Sequence, residues 1–330
     1  MKTMKKIVLL MVLSLMGWNI TYSQEQITDF LEAAELGAKQ DASVLADAYL
    51  KPYGDMLGKT LNGGWYNTAK VHGVLGFDLT FGVNMAMVPT AEKTVDMNSL
   101  LPKMSDGWSL QNSANNIAPT VAGEMAEANR PVLAYEDVEI FTMPNGSGFD
   151  KMPMPVLQAS VGLPFHTDVS LRYVPKMSMG DAGKIGLYGF ALKHSLKDYI
   201  PFVKRLPALQ ASLLLGYTNL SGEIDVDYMG GEDQKLEIGA GGFTSRLLVG
   251  VNIPVLAVYA GMGYGSTNSD FDLTGNYVGL GNDPISLSYK NTGFDFNAGM
   301  RIRLGFFSIH GDYTIGDYSM LTAGVGFNFR

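Results

Sequence analysis

Two pairs of residues in this sequence have the types and spacing of a metal-binding or proton-transfer site. His166 and Asp168 are two positions apart, and so are His310 and Asp312, in segments where polar and apolar residues alternate. Residues i and i+2 of a β-strand lie on one face, so each imidazole is expected beside a carboxylate. Such a pair can hold a metal ion or move a proton. The alternative is a hydrogen-bonded wall of polar side chains, in which Arg residues balance the acids.

Spacing along a strand does not by itself bring several ligands together, so we expect neither a metal nor a cofactor. We expect instead a polar surface that lines the interior of the fold. The residues predicted to face that interior are His72, Asp78, Asn84, His166, Asp168, Arg172, Arg301, Arg303, His310 and Asp312.

The sequence lacks the motifs that mark common catalytic sites. It has no Cys, no GxSxG, no HExxH and no phosphate-binding P-loop. His194 and Ser195 are adjacent, so their side chains would point to opposite faces of a strand. We therefore do not expect an enzyme.

The elements that must position the polar residues are long alternating strands. In residues 71–88 every odd position is apolar or Gly, while the even positions include His72, Asp78 and Asn84. Strands of soluble proteins average about 5–6 residues, whereas a tilted strand that crosses a bilayer needs about 9–11. The pattern therefore predicts a strand with its odd face towards lipid and its even face towards a lumen.

Similar alternation continues from residue 136 to the C-terminus. The final segment carries Phe327 and Phe329 on one face and resembles the aromatic last strand of outer-membrane barrels. When the remaining residues are divided by the usual length of a strand plus its turn, about 12–14 strands result. We therefore predict an all-β fold, a transmembrane antiparallel β-barrel with a short helical N-terminal segment. A soluble periplasmic barrel is the alternative.

The N-terminus predicts export. Residues 1–23 combine a Lys-rich start, an apolar stretch and a small residue before Gln24, which is typical of a cleaved signal peptide. Removing its three Lys takes the formal net charge from −8 to −11. So acidic a chain is not expected to bind nucleic acid.

The segment after the signal peptide predicts helices. Residues 24–64 place apolar residues at near-helical spacing, which predicts two short helices ending by Pro52 and Gly54. This segment could plug the lumen or cap its mouth. Residues 65–330 form the predicted barrel, with 89–135 as a long excursion after the first strand.

One segment is more basic than its neighbours. Residues 194–206, HSLKDYIPFVKRL, show helical spacing of apolar residues interrupted by Pro201. They predict a short helix at the membrane edge that contacts lipid head groups or lipopolysaccharide phosphates. A basic loop between strands is the alternative.

Several stretches resemble a family of uncharacterised outer-membrane proteins of Bacteroidota. They are WYNTAK at residues 65–70, GFDLT at 76–80 and GLYGFALKHS at 186–195. In architecture alone, a helical segment before a barrel is more distantly similar to the long-chain fatty-acid transporter family. That likeness implies a plugged lumen and hydrophobic ligands, but none of that family's ligand residues can be matched here.

These observations predict an outer-membrane protein of a Gram-negative bacterium. The first expected function is passive transport of small hydrophobic molecules, and the alternative is a structural or assembly barrel that anchors a surface or secretion complex. The expected partners are outer-membrane lipid, lipopolysaccharide, the barrel insertion machinery and, for transport, a hydrophobic small molecule.

Overall fold

Alternating side chains build ten long strands that close into an antiparallel barrel within the described residues. The computed structural model describes residues 39–178, 183–226, 233–277 and 281–329. The predicted signal peptide, the first predicted helix and Arg330 lie outside these ranges.

The strands and helices follow in chain order. The strands are β1 (Phe77–Met87), β2 (Thr94–Asp96), β3 (Trp108–Leu110), β4 (Ile117–Pro119), β5 (Val132–Tyr135), β6 (Val138–Thr142), β7 (Lys151–Leu163), β8 (Thr167–Ser178), β9 (Lys184–Ser195), β10 (Leu209–Asp225), β11 (Lys235–Asn252), β12 (Leu256–Thr274), β13 (Asn276–Tyr277), β14 (Gly281–Asn282), β15 (Ile285–Leu304), β16 (Phe307–Ile315) and β17 (Ser319–Phe329). The α-helices are α1 (Lys39–Asn62) and α2 (Pro201–Arg205), with 3₁₀ turns at Thr90–Glu92, Met97–Ser99, Leu101–Lys103, Glu127–Asn129 and Lys197–Tyr199. No helix among the described residues is both long and apolar enough to cross a membrane.

The barrel closes through its first strand. Around the circle the order is β1-β17-β16-β15-β12-β11-β10-β9-β8-β7, and β1 pairs with both β17 and β7. The predicted all-β transmembrane barrel is confirmed. The predicted number of about 12–14 strands is wrong.

The count was too high because the strands are longer than the spacing suggested. β15 runs for 20 residues across two segments that the pattern divided. Asn291 and Thr292 resemble a turn, but they pair with Thr267 and Ser266 of β12. Residues 138–142, predicted as a wall strand, form β6 in a small sheet outside the barrel.

The outward face of the barrel is apolar and the inward face is buried and largely polar. In β17, Leu321 and Phe327 are exposed, whereas Thr322 and Asn328 are buried inside. Other outward side chains are Leu79, Leu171, Phe190, Leu215, Phe243, Met262, Phe296 and Ile309. A belt of exposed large apolar side chains is unfavourable in water and matches the hydrocarbon core of a bilayer.

The two ends of the barrel differ. At the short-turn end lie residues 164–166, 253–255 and 305–306, the segment 196–208 with α2, and the last residue of β17. At the loop end, residues 88–150 form a cap with two small sheets, β2-β4 and β3-β5-β6. The predicted excursion, 89–135, is therefore too short, because β5, β6 and the turns after them also belong to the cap.

The inner segment, residues 39–76, runs through the barrel from the loop end to the short-turn end. Asp41 near the start of α1 accepts a hydrogen bond from Trp108 of the cap at 3.0 Å. His72 contacts Asp168, near the short-turn end of β8, at 3.0 Å. α1 does not end by Pro52 or Gly54 as predicted but continues to Asn62, because contacts with the wall support the helix beyond Pro52.

The first wall strand also begins later than predicted. Residues 71–76 precede β1, which spans Phe77–Met87. Trp65 to Ala69 are buried inside the barrel instead of forming its wall. Alternation did not reveal this, because a chain packed against a polar lumen can show the same mixture of residues.

Candidate functional site

The C-terminal end of α1 is held by side chains from the barrel wall. The last carbonyl groups of a helix lack partners within the helix. Here Arg172 of β8 donates to Gly63 O at 2.6 Å and to Leu61 O at 3.3 Å. Thr218 of β10 also donates to Leu61 O, at 3.0 Å. The cation lies at the negative end of the helix dipole, which favours it there.

Asn84 of β1 caps the same helix end from another side of the wall. Its Nδ2 donates to Thr60 O at 2.8 Å and to Gly63 O at 3.1 Å. Asn84 is fully buried. Residues from three separate wall strands, β1, β8 and β10, therefore converge on one turn of the inner segment.

Trp65 forms the next contact towards the short-turn end. The Arg172 guanidinium lies 3.6 Å from the centre of its ring, a cation–π contact. A Cβ atom at Gly216 would lie 2.9 Å from Trp65 Nε1, and one at Gly189 would lie 3.1 Å from its ring. Glycine at these two wall positions lets the indole lie close to the wall.

The helix itself approaches the wall through glycines. A Cβ atom at Gly54 would lie 2.2 Å from the Tyr289 ring, and one at Gly58 would lie 2.6 Å from Thr267 Oγ1. These glycines are four residues apart and therefore share one face of α1. This face of α1 is therefore in close contact with the wall.

A buried charge cluster joins α1 to the far wall. Arg246 of β11 contacts Asp295 of β15 through two nitrogen–oxygen pairs, at 2.6 and 2.9 Å. Lys59 of α1 approaches the same carboxylate at 3.5 Å. All three side chains are almost fully buried. One carboxylate thus serves two cations, and its loss would leave both of them without compensation.

A second charge cluster lies near the short-turn end. His72 Nδ1 is 3.0 Å from Asp168 Oδ2, and His72 Nε2 is 3.4 Å from Asp78 Oδ2. Lys193 of β9 is 3.2 Å from the same Asp168 oxygen and donates to Lys70 O at 3.0 Å. The His72 imidazole therefore lies between two carboxylates, which favour its protonated form.

The predicted interior residues divide into those that meet at the inner segment and those that do not. His72, Asp78 and Asp168 meet in one cluster, as described above. Asp312 accepts a hydrogen bond from Tyr259 at 3.1 Å, and His310 is buried on β16 beside Arg301 in the strand register. Arg301 donates to Asn67 of the inner segment at 2.9 Å.

Two of the predicted interior positions differ from expectation. His166 does not face the lumen or pair with Asp168: it lies in the turn before β8, its side chain is 72% exposed, and it contacts Asp198 at 3.2 Å. Its backbone φ of 53° breaks the strand alternation on which the prediction depended. Arg303 shares the face of Arg301 but is exposed at the mouth of the barrel.

Several important contacts were not predicted. The sequence analysis did not predict a functional role for Arg246, Asp295 or Lys59. Alternation in residues 235–252 and 285–304 nevertheless puts Arg246 and Asp295 on buried faces. The packing of Trp65 inside the barrel could not be predicted from the sequence, because it depends on glycines more than a hundred residues away. No group of three or more His, Asp or Glu side chains able to hold a metal ion occurs in the described ranges.

Solved structures with detectable similarity are barrels of outer-membrane proteins. OprG of Pseudomonas aeruginosa is 12% identical, with 80% of this chain and 99% of that chain covered and a TM-score of 0.34. Ail of Yersinia pestis is 10% identical, with coverage of 78% and 99% and a TM-score of 0.26. The toluene transporter TodX of Pseudomonas putida is 10% identical, with coverage of 77% and 68% and a TM-score of 0.25. These similarities are weak.

A search of curated proteins found no match to this chain. A family model does match, and it extends over residues 1–329, nearly the whole sequence. The protein therefore belongs to the family of unknown function DUF6588.

Proposed function

We propose that this protein is a closed outer-membrane barrel with a structural role, which presents its cap at the cell surface as the anchor of a surface complex. The observation that carries the proposal is the inner segment, which extends through the lumen and is hydrogen-bonded to the wall at several levels. An α-helix with its side chains is about 10–12 Å across, so it fills most of a small barrel.

Orientation follows from the lengths of the connections. Outer-membrane barrels have short periplasmic turns and longer extracellular loops. The cap, residues 88–150, would then lie outside the cell, and the last residues of β17 would face the periplasm. The start of α1 packs into the cap, where Asp41 accepts from Ser105 N at 2.8 Å.

The cap is firmly joined to the barrel. One apolar cluster contains Leu45 of α1, Leu133 of the cap and Leu287 of the wall. Tyr49 of α1 donates a hydrogen bond to Asn145 O at 2.8 Å. A cap packed in this way is a fixed platform, which suits the anchoring of a partner better than the gating of a pore.

Passive transport of small hydrophobic molecules, the first expectation from the sequence, receives less support. Transport would require the inner segment to move out of the lumen, which would break the buried contacts of Lys59 with Asp295 and of His72 with Asp168. Removing one partner of a buried ion pair costs about 3–5 kcal/mol. The likeness to long-chain fatty-acid transporters is then limited to a helix inside a barrel.

Conductance in planar bilayers tests the proposal. We expect the purified full chain to give no channel openings, because the inner segment occupies the lumen. A variant lacking residues 24–64 is expected to conduct, and an open porin calibrates the assay. Stepwise openings, or swelling of liposomes in sugar, with the full chain would overturn the closed-barrel proposal.

A further inference from the structure

A cationic pocket opens at the short-turn end of the barrel, apart from the contacts that hold α1. It has a volume of about 340 Å³ and lies between the turn that joins β11 to β12, the end of β15 and the inner segment. Its lining residues with charge are Lys70, Arg301 and Arg303, and Asn252 adds an amide. No carboxylate is among the described residues that line it.

None of these three cations forms an ion pair within the described ranges. Neither Lys70 nor Arg303 is paired with a carboxylate in the described part of the chain. Asp78 attracts Arg301 electrostatically, but its Oδ2 faces His72 at 3.4 Å. Three positive charges around one small cavity repel one another, and an anion between them would relieve that repulsion.

Arg301 also has a donor without a partner. Its Nη1 donates to Asn67, but its Nε is buried and makes no hydrogen bond within the described structure. The residue is 6% exposed. A buried donor that lacks an acceptor is unfavourable, so an acceptor beside it in the pocket would be favoured.

We propose that this pocket binds a phosphate group. Arg side chains bind phosphate through paired N–H groups, and Lys contributes a point charge. The rim of the pocket is apolar, since Ile253 and Val255 are about half exposed beside it. The phosphate can therefore belong to a phospholipid head group of the inner leaflet or to a free anion.

Binding of inorganic phosphate to the full-length protein in detergent tests whether the pocket takes a free anion. The thermal unfolding midpoint of the protein in phosphatidylcholine nanodiscs, with and without phosphatidic acid, tests whether the pocket takes a lipid head group. Arg303→Gln and Lys70→Gln are the variants, because both side chains are at the mouth and hold no part of the lumen. Lys290→Gln is the matched control, because Lys290 is an exposed cation of the same strand as Arg303 and lies outside the pocket.

We expect each pocket variant to bind the probe about tenfold more weakly, a loss of about 1.4 kcal/mol, because each would lose a charged hydrogen-bond donor. Lys290→Gln should bind as the unaltered chain does. Binding of inorganic phosphate supports a soluble ligand, and a rise of the midpoint with phosphatidic acid alone supports a lipid. The proposal is overturned if neither probe binds, or if Arg303→Gln and Lys70→Gln bind as tightly as the control.

Discussion

Asp295 holds two cations in the middle of the barrel, and this makes it the residue on which the charge balance of the lumen depends. Its partners are Arg246 from the wall and Lys59 from α1. A buried ion pair adds little net stability compared with apolar packing, but a broken one is costly. The cluster therefore specifies where the inner segment sits, more than it adds to stability.

Asp295→Asn should lower the free energy of unfolding by about 3–5 kcal/mol, because Arg246 and Lys59 would stay buried without a carboxylate. Urea unfolding in lipid vesicles, followed by tryptophan fluorescence, measures the change. Glu237→Gln, which alters an exposed carboxylate on β11, is the control and should change stability by less than about 0.5 kcal/mol. Equal effects of the two variants would contradict the assigned role of Asp295.

His72 should make stability depend on pH. Two carboxylates stabilise its protonated imidazole in the folded protein, so its contribution to stability is present at low pH and is lost as rising pH removes the proton. The charged groups that face it are Asp168 and Asp78, with Lys193 beyond Asp168. We expect the difference in unfolding free energy between the unaltered chain and His72→Gln to shrink over this rise in pH.

Urea unfolding curves recorded from about pH 5 to pH 9 give that difference from their midpoints and slopes. His166→Gln is the matched control, because its imidazole is exposed and its contact with Asp198 is weakened by solvent. A difference that stays constant with pH for His72→Gln would show that the two carboxylates do not hold a protonated imidazole.

At the scale of the element, α1 is seated by shape as well as by charge. Gly54 and Gly58 let the helix approach Tyr289 and Thr267 so closely that a side chain at either position would overlap the wall. Gly is a poor residue for a helix interior, where it costs about 1 kcal/mol relative to Ala. Its presence at two positions on one face indicates that close contact outweighs helix propensity.

Gly58→Leu should destabilise the barrel by about 1–3 kcal/mol through overpacking, although the gain in helix propensity offsets part of this loss. Gln40→Leu, at an exposed position of the same helix, should be nearly neutral. The temperature at which the folded gel band converts to the unfolded band measures both. An unchanged temperature for Gly58→Leu would mean that the helix is not held against this part of the wall.

At the scale of the whole molecule, the orientation in the membrane can be measured by labelling. The chain contains no Cys, so a single introduced Cys reports one place. Asn112→Cys in the cap, exposed and at the loop end, should react with a membrane-impermeant maleimide on intact cells. Lys204→Cys at the short-turn end should react only after the outer membrane is opened. The reverse pattern would invert the proposed orientation.

The barrel wall was predictable because its signal is local. Alternation puts residues such as Asp78 and Asn84 on one face wherever a strand forms, whatever the partner strand is. The number of strands was not predictable, since Asn291 and Thr292 form part of β15 only through pairing with β12. The prediction that His166 faces the lumen was wrong for a similar reason. A positive φ in the turn interrupts the alternation, and no residue in the sequence indicates it.

The sequence by itself determined that this chain is an all-β transmembrane barrel, because side-chain periodicity and burial in lipid depend only on nearby residues. Only the tertiary structure decided what fills the lumen. The contacts of Arg172 with Leu61 and Gly63, and of Lys59 with Asp295, join residues separated by a hundred positions or more. Such pairs form because wall and inner segment must satisfy each other's buried polar groups, and no spacing along the chain encodes which groups meet.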